Sequence, residues 1–109
     1  MKLQIGADIV HVPRIASLLS NDTAVARTFK PDELRDKDPS HLAGIFAAKE
    51  SVFKALGIAP SWLDVKITKS PDGKPSASIS KQLGHAKVVD ISISHDGDYA
   101  VAFVILEID

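Results

Sequence analysis

The 109 residues, 45% hydrophobic and 25% charged, suit one globular domain with a modest core and leave little room for a second. Thirteen basic residues face 14 acidic ones, a formal charge of -1 with no block of like sign, so the electrostatic footprint of a general nucleic-acid binder is missing. The absence of cysteine excludes disulfides, thiolate zinc sites and cysteine nucleophiles, and leaves oxygen or imidazole for any metal.

Leu3, Ile5, Ala7 and Ile9 alternate with Lys2, Gln4, Gly6 and Asp8, the period of a half-buried strand that delivers Asp8 near its end. An acid this early interrupts any leader-like apolar run, and no stretch approaches the ~18 apolar residues of a membrane span. A soluble, cytoplasmic protein without membrane association is the expectation. Pro13 suits the first turn of a helix carrying Ile15, Leu18 and Leu19 inward and Arg14 outward. Asn21 or Asp22 can cap a second short helix running to about Phe29, and Lys30-Pro31-Asp32-Glu33-Leu34 reads as a further helical start.

Asp38-Pro39-Ser40 opens a long helix that Gly57 closes. Leu42, Ile45, Phe46, Val52, Phe53 and Leu56 cover a broad face, while Ala43, Gly44, Ala47 and Ala48 keep its first half thin enough to pack closely on a sheet. Trp62 to Thr68 and Pro75 to Ser80, joined through Pro71-Asp72-Gly73, predict one hairpin. Val88 to Ser94 and Tyr99 to Glu107, joined through Asp96-Gly97-Asp98, predict a second. Its last strand, Ala100 to Leu106, is almost wholly apolar and is expected to bury both faces, one on helix and the other available to another subunit.

Glu50 lies at the edge of the long helix's apolar face, beside Lys49 and one turn before Lys54. Taken alone, Glu50 and Lys54 are as well explained by an ordinary intrahelical ion pair. Asp8 could equally be a strand-end carboxylate or a helix cap. Two carboxylates from different elements could also hold magnesium, with water and substrate phosphate supplying the remaining oxygens and a nearby lysine sharing the phosphate charge. His95 reads as an exposed strand-end residue, a phosphate contact or a proton carrier. Ser92 and Ser94 lack a nucleophile elbow, and no Walker loop or dinucleotide fingerprint is present.

In combination, Ile5-Gly6-Ala7-Asp8-Ile9-Val10, Leu42-Ala43-Gly44-Ile45-Phe46-Ala47-Ala48-Lys49-Glu50-Ser51-Val52-Phe53-Lys54-Ala55-Leu56-Gly57 and Ile91-Ser92-Ile93-Ser94-His95-Asp96 resemble the holo-acyl-carrier-protein synthase family. This is the short group of the phosphopantetheinyl transferases, and the resemblance runs in order along nearly the whole chain. It implies an α+β fold over residues 1–109, an antiparallel sheet packed on one long helix with short helices around it. It also implies a homotrimer with active sites at the subunit interfaces.

By resemblance, Asp8 and Glu50 ligate magnesium, Glu50 and Lys54 serve catalysis, and Lys54 contacts the coenzyme A diphosphate. Asp8, Lys49 and Gly57 join Lys54 on the coenzyme, Ser94, His95 and Asp96 approach it from the neighbouring subunit, and Arg14 docks the apo acyl carrier protein. The implied reaction is magnesium-dependent transfer of phosphopantetheine to a carrier serine, with adenosine bisphosphate released and Glu50 or a water on the metal taking the proton. The carrier could serve fatty acid, polyketide or peptide synthesis. The chain departs from the family pattern at Ile45, which replaces an arginine, at Lys30 in place of a threonine ahead of Glu33, and at Ile58-Ala59-Pro60 after the helix. The alternative reading, a non-catalytic trimeric module binding a carrier protein or nucleotide, draws its main support from Ile45.

Overall fold

In a computed structural model of residues 1–109, strand β1 (Lys2–His11) passes directly into helix α1 (Val12–Leu18). Helix α2 (Asp22–Thr28), a 3-10 turn over Pro31–Leu34 and helix α3 (Pro39–Leu56) follow, and a second 3-10 turn spans Trp62–Asp64. The chain then forms strands β2 (Val65–Lys69) and β3 (Pro75–Ile79), a 3-10 turn at Lys81–Leu83, and strands β4 (Ala86–Asp96) and β5 (Tyr99–Ile108). The architecture is α+β: an antiparallel sheet in the order β1-β5-β4, and a separate two-stranded β2-β3 hairpin.

Helix α3 forms where its end signals place it. The Asp38 carboxylate accepts a hydrogen bond from the His41 amide, Pro39 occupies the first turn, and Gly57 ends the helix in a left-handed conformation at φ 71°. Twelve of its 18 residues are buried, because the helix lies across the sheet on one side and meets α1 and the β2-β3 hairpin on the others. Its small residues allow this approach. At Gly6 the strand and helix backbones are so close that a Cβ would stand 1.9 Å from the Ser51 carbonyl oxygen. At Gly44 a Cβ would meet His95 Nε2 and Ile93 Cγ2 at 2.9 Å, so α3 crosses from edge strand β4 near its start to edge strand β1 near its end.

That crossing decides which face of β1 is covered. Gly6, Asp8 and Val10 face the helix and are buried, whereas Leu3, Ile5, Ala7 and Ile9 stand on the open side, Ile5 with 78% of its surface exposed. The alternation was real, but the more apolar row is the uncovered one: α3 needs a glycine beneath its backbone, and Gly6 is in the other row. Strand β5 repeats the pattern. Ala100, Ala102, Val104 and Leu106 join a 19-residue core, while Phe103 and Ile105 stand beside Ile5 and Ala7 on the open face.

Three local expectations change. Trp62–Asp64 is a 3-10 turn rather than the start of a strand, because Asp64 N bonds Ser61 O and the Trp62 ring stacks on Phe46 at 4.9 Å. Pro31–Leu34 is likewise a single 3-10 turn, closed by Glu33, whose carboxylate accepts the Lys30 amide at 2.8 Å. The Glu50–Lys54 ion pair does not form; Lys54 instead reaches across to β1.

Candidate active site

Asp8 faces α3 because it shares a side of β1 with Gly6 and Val10, and there it meets the helix edge carrying Glu50 and Lys54. Its carboxylate is only 8% exposed. Oδ1 accepts a hydrogen bond from Lys54 Nζ at 2.8 Å, and Oδ2 is buried with no partner. A buried carboxylate oxygen left unbonded carries its full desolvation cost unless a ligand meets it. Glu50, partly buried alongside, has its pKa pushed up to about 7, first by burial and then by Asp8, against the opposing pull of Arg14 and Lys54. The Asp8 hydrogen bond in turn holds the Lys54 ammonium above its ordinary value.

Two carboxylates brought together in this way, with Lys54 and Arg14 beside them, offer the oxygen ligands that a hard divalent cation takes. Magnesium is commonly bound by one or two carboxylates with water and phosphate completing its shell, so Asp8, with its unbonded Oδ2, and Glu50 fit such an ion. Arg14 completes the group from α1. Its guanidinium lies over the Phe46 ring at 5.2 Å and approaches Glu50 Oε1 to 4.0 Å, while most of the side chain remains exposed.

Lys49 is placed differently from its neighbours and, being wholly buried, presents no surface to a ligand. Its side chain is fully buried, and Nζ donates to Glu33 Oε1 at 2.6 Å and Thr28 O at 2.7 Å. Burial lowers its pKa and the Glu33 carboxylate opposes that shift. Lys49 therefore serves the packing of α3. Gly57 stands exposed at the end of the same helix, just beyond Lys54.

Ser94, His95 and Asp96 lie on the opposite edge of the sheet. His95 Nε2 donates to the Ser40 carbonyl at 2.9 Å, at the start of α3. Ten residues separate Ser40 from Glu50, about 15 Å of helix. Within one chain, α3 therefore stands between His95 and the Asp8, Glu50 and Lys54 group. His95 borders a cleft of about 570 Å³ whose floor includes Ile45, Ile67 and Ile93 and whose rim includes Arg35 and Lys69. Sequence reasoning assigned no role to Glu33, Arg35 or Lys69; they come together through folding of the 3-10 turn and hairpin, and no helical or strand period links them.

A sequence profile of the 4'-phosphopantetheinyl transferase superfamily matches residues 4–104. The chain is 43% identical to the holo-[acyl-carrier-protein] synthase of Protochlamydia amoebophila, over 96% of this chain and 98% of that protein. It is 38% identical to the enzyme of the same name from Frankia alni, over 94% and 95%. Among solved structures it is similar to the Helicobacter pylori holo-[acyl-carrier-protein] synthase in complex with coenzyme A, with TM-score 0.82 and 36% identity over 94% of this chain and 99% of that one. It also matches the Chronobacterium ammoniagenes synthase–coenzyme A complex, with TM-score 0.86 and 28% identity over 100% and 99% of the two chains. With the order of motifs, the fold and these full-length matches in agreement, the chain belongs to the holo-acyl-carrier-protein synthases of the 4'-phosphopantetheinyl transferase superfamily.

Proposed function

We propose that residues 1–109 act as one transferase domain that moves 4'-phosphopantetheine from coenzyme A to a serine of an apo acyl carrier protein. The Asp8, Glu50 and Lys54 group carries this reading: two crowded carboxylates, one with an unbonded buried oxygen, beside an ammonium. The serine hydroxyl attacks the β-phosphorus in line, the new O–P bond forms, and the bond from that phosphorus to the bridging oxygen breaks, releasing adenosine 3',5'-bisphosphate. The hydroxyl proton passes to Glu50 or to a bound water. In this reading Lys54 binds the diphosphate, with Gly57 one turn beyond it. Magnesium, when bound by Asp8 and Glu50, would neutralise the diphosphate charge. The reading keeps the cytoplasmic location expected from sequence, and no helix of the fold is long and apolar enough to cross a membrane.

The His95 cleft receives the nucleotide end in this reading, with His95 on its border and Ser94 and Asp96 flanking that residue at the end of β4. Because α3 separates that cleft from Asp8, the two halves of a site are supplied by neighbouring copies, β4 edge to β1 edge. Such a head-to-tail contact closes into a ring, and a homotrimer gives every copy the same role. The open sheet face, with Leu3, Ile5, Ile9, Phe103 and Ile105 exposed, supports that assembly. Arg14, exposed on α1 near Glu50, is suited to dock an acidic face of the carrier protein.

The test is intact-mass analysis of an apo acyl carrier protein after incubation with coenzyme A, with magnesium or with chelator. A metal-dependent gain of one phosphopantetheine is expected, and Asp8→Asn should slow it about 100-fold or more. Coenzyme binding without any mass gain would favour the non-catalytic alternative and point to Ile45 as the departure responsible.

A further inference from the structure

The Glu33 carboxylate stands outside the groups used above, is 3% exposed, and accepts three hydrogen bonds from three parts of the chain. Lys49 Nζ of α3 bonds Oε1 at 2.6 Å, the Lys30 amide bonds Oε1 at 2.8 Å, and the Ile67 amide of β2 bonds Oε2 at 2.8 Å. Its neighbour Asp32 bonds Lys66 Nζ at 3.3 Å, so two successive residues of the turn meet two successive residues of β2. This seam matters because the β2-β3 hairpin is a separate sheet with no strand pairing to β1, β5 or β4. The packing of β3 alongside β4, the buried side chains of Val65 and Ile67 and an exposed Lys74–Asp90 pair hold the hairpin, and the Glu33 seam is what ties its β2 side to the turn and to α3. The hairpin supplies Ile67, Thr68, Lys69, Gly73 and Pro75 to the cleft, so its seating sets the cleft's width.

We infer that Glu33 is a positioning residue for the donor: by tying β2 to the turn and, through Lys49, to α3, it fixes the hairpin wall of the cleft. The inference rests on the reading that the cleft takes the nucleotide end of coenzyme A. A carboxylate is needed because three donors converge on it, and an ionised carboxylate is acceptor-only. A glutamine would turn its own N–H groups toward those donors. It would also leave the Lys49 ammonium buried without its counter-charge, a change that can unfold the chain by itself. The informative variant is therefore Glu33→Gln with Lys49→Met, which removes both charges at similar volume.

Three readouts decide the matter: hydrogen exchange at the β2 amides, the Kd of the parent and variant for coenzyme A by calorimetry, and kcat with the Michaelis constants of both substrates. The double variant should fold, exchange its β2 amides at least about tenfold faster, and bind coenzyme A about tenfold more weakly. Its kcat and its Michaelis constant for the carrier protein should stay within about twofold of the parent's. Unchanged coenzyme affinity in the folded variant would overturn the inference, as would a fall in kcat with affinity intact, which would place the seam's effect at Glu50. A parent that does not bind coenzyme A would overturn both readings. A parent that binds it without transferring phosphopantetheine would defeat only the catalytic one, since the exchange and affinity comparisons still test Glu33.

Discussion

At the scale of single residues the site is a problem of crowded negative charge. Asp8 spends one oxygen on Lys54 and has none for the other, while Glu50 is driven toward protonation by burial and by Asp8. Glu50's value, about 7, lies above the 4.5 of a free carboxyl, so between these values the folded chain holds a proton that the unfolded chain has released. The stabilisation from this group is complete below about 4.5 and is lost as pH rises to about 7. A divalent cation competes with that proton. Magnesium affinity, measured by calorimetry without substrates, should therefore increase about tenfold between about pH 6 and 8 and then level off, and Glu50→Gln should weaken binding and flatten the dependence. A parent affinity independent of pH over that range would remove Glu50 from the proposed metal site.

These residues were legible only in part. Glu50 and Lys54 stood out as charges bordering an apolar helix face, and Asp8 as an acid at the end of a strand. What brings them together, the passage of α3 over Gly6, involves residues about 45 positions apart and leaves no local period. Lys49 shows the converse. It sits in the longest of the segments that carry the family resemblance, yet its partner is Glu33, 16 residues earlier in a 3-10 turn whose side chains follow no amphipathic pattern.

At the scale of elements, close packing of α3 on β1 controls the geometry. Any side chain at position 6 would enter the Ser51 carbonyl, which is helix backbone and has no rotamer by which to yield. Gly6→Ala should destabilise the chain by about 3 kcal/mol, in the upper range for overpacked cores, and displace Asp8 from Glu50. Denaturant unfolding checks the first effect, and a loss below 0.5 kcal/mol would contradict the described helix–strand contact. The helix was readable from Asp38, Pro39 and Gly57 because capping is local chemistry. The covered face of β1 was not, since both of its rows alternate cleanly and only the third dimension decides which one meets a helix.

At the scale of the whole molecule, the open sheet face and the divided site point the same way. Isolated, one chain would expose Ile5, Ile9 and Phe103 and hold Asp8 and His95 on opposite edges of one sheet. Phe103→Lys should leave the fold intact, since the side chain lies outside the core, and convert the proposed trimer to monomers in sedimentation velocity with loss of transfer activity. A monomeric variant with full activity would show that one chain suffices.

The most direct test of the central claim, a transferase whose site is shared between copies, is subunit complementation. Asp8→Asn and His95→Ala chains, each inactive alone, are unfolded together, refolded as a mixture and assayed for phosphopantetheine transfer. Random assembly places an intact Asp8 half against an intact His95 half in about a quarter of the interfaces, so about a quarter of the parent activity should return. A mixture no more active than its two components would contradict a site built from two copies.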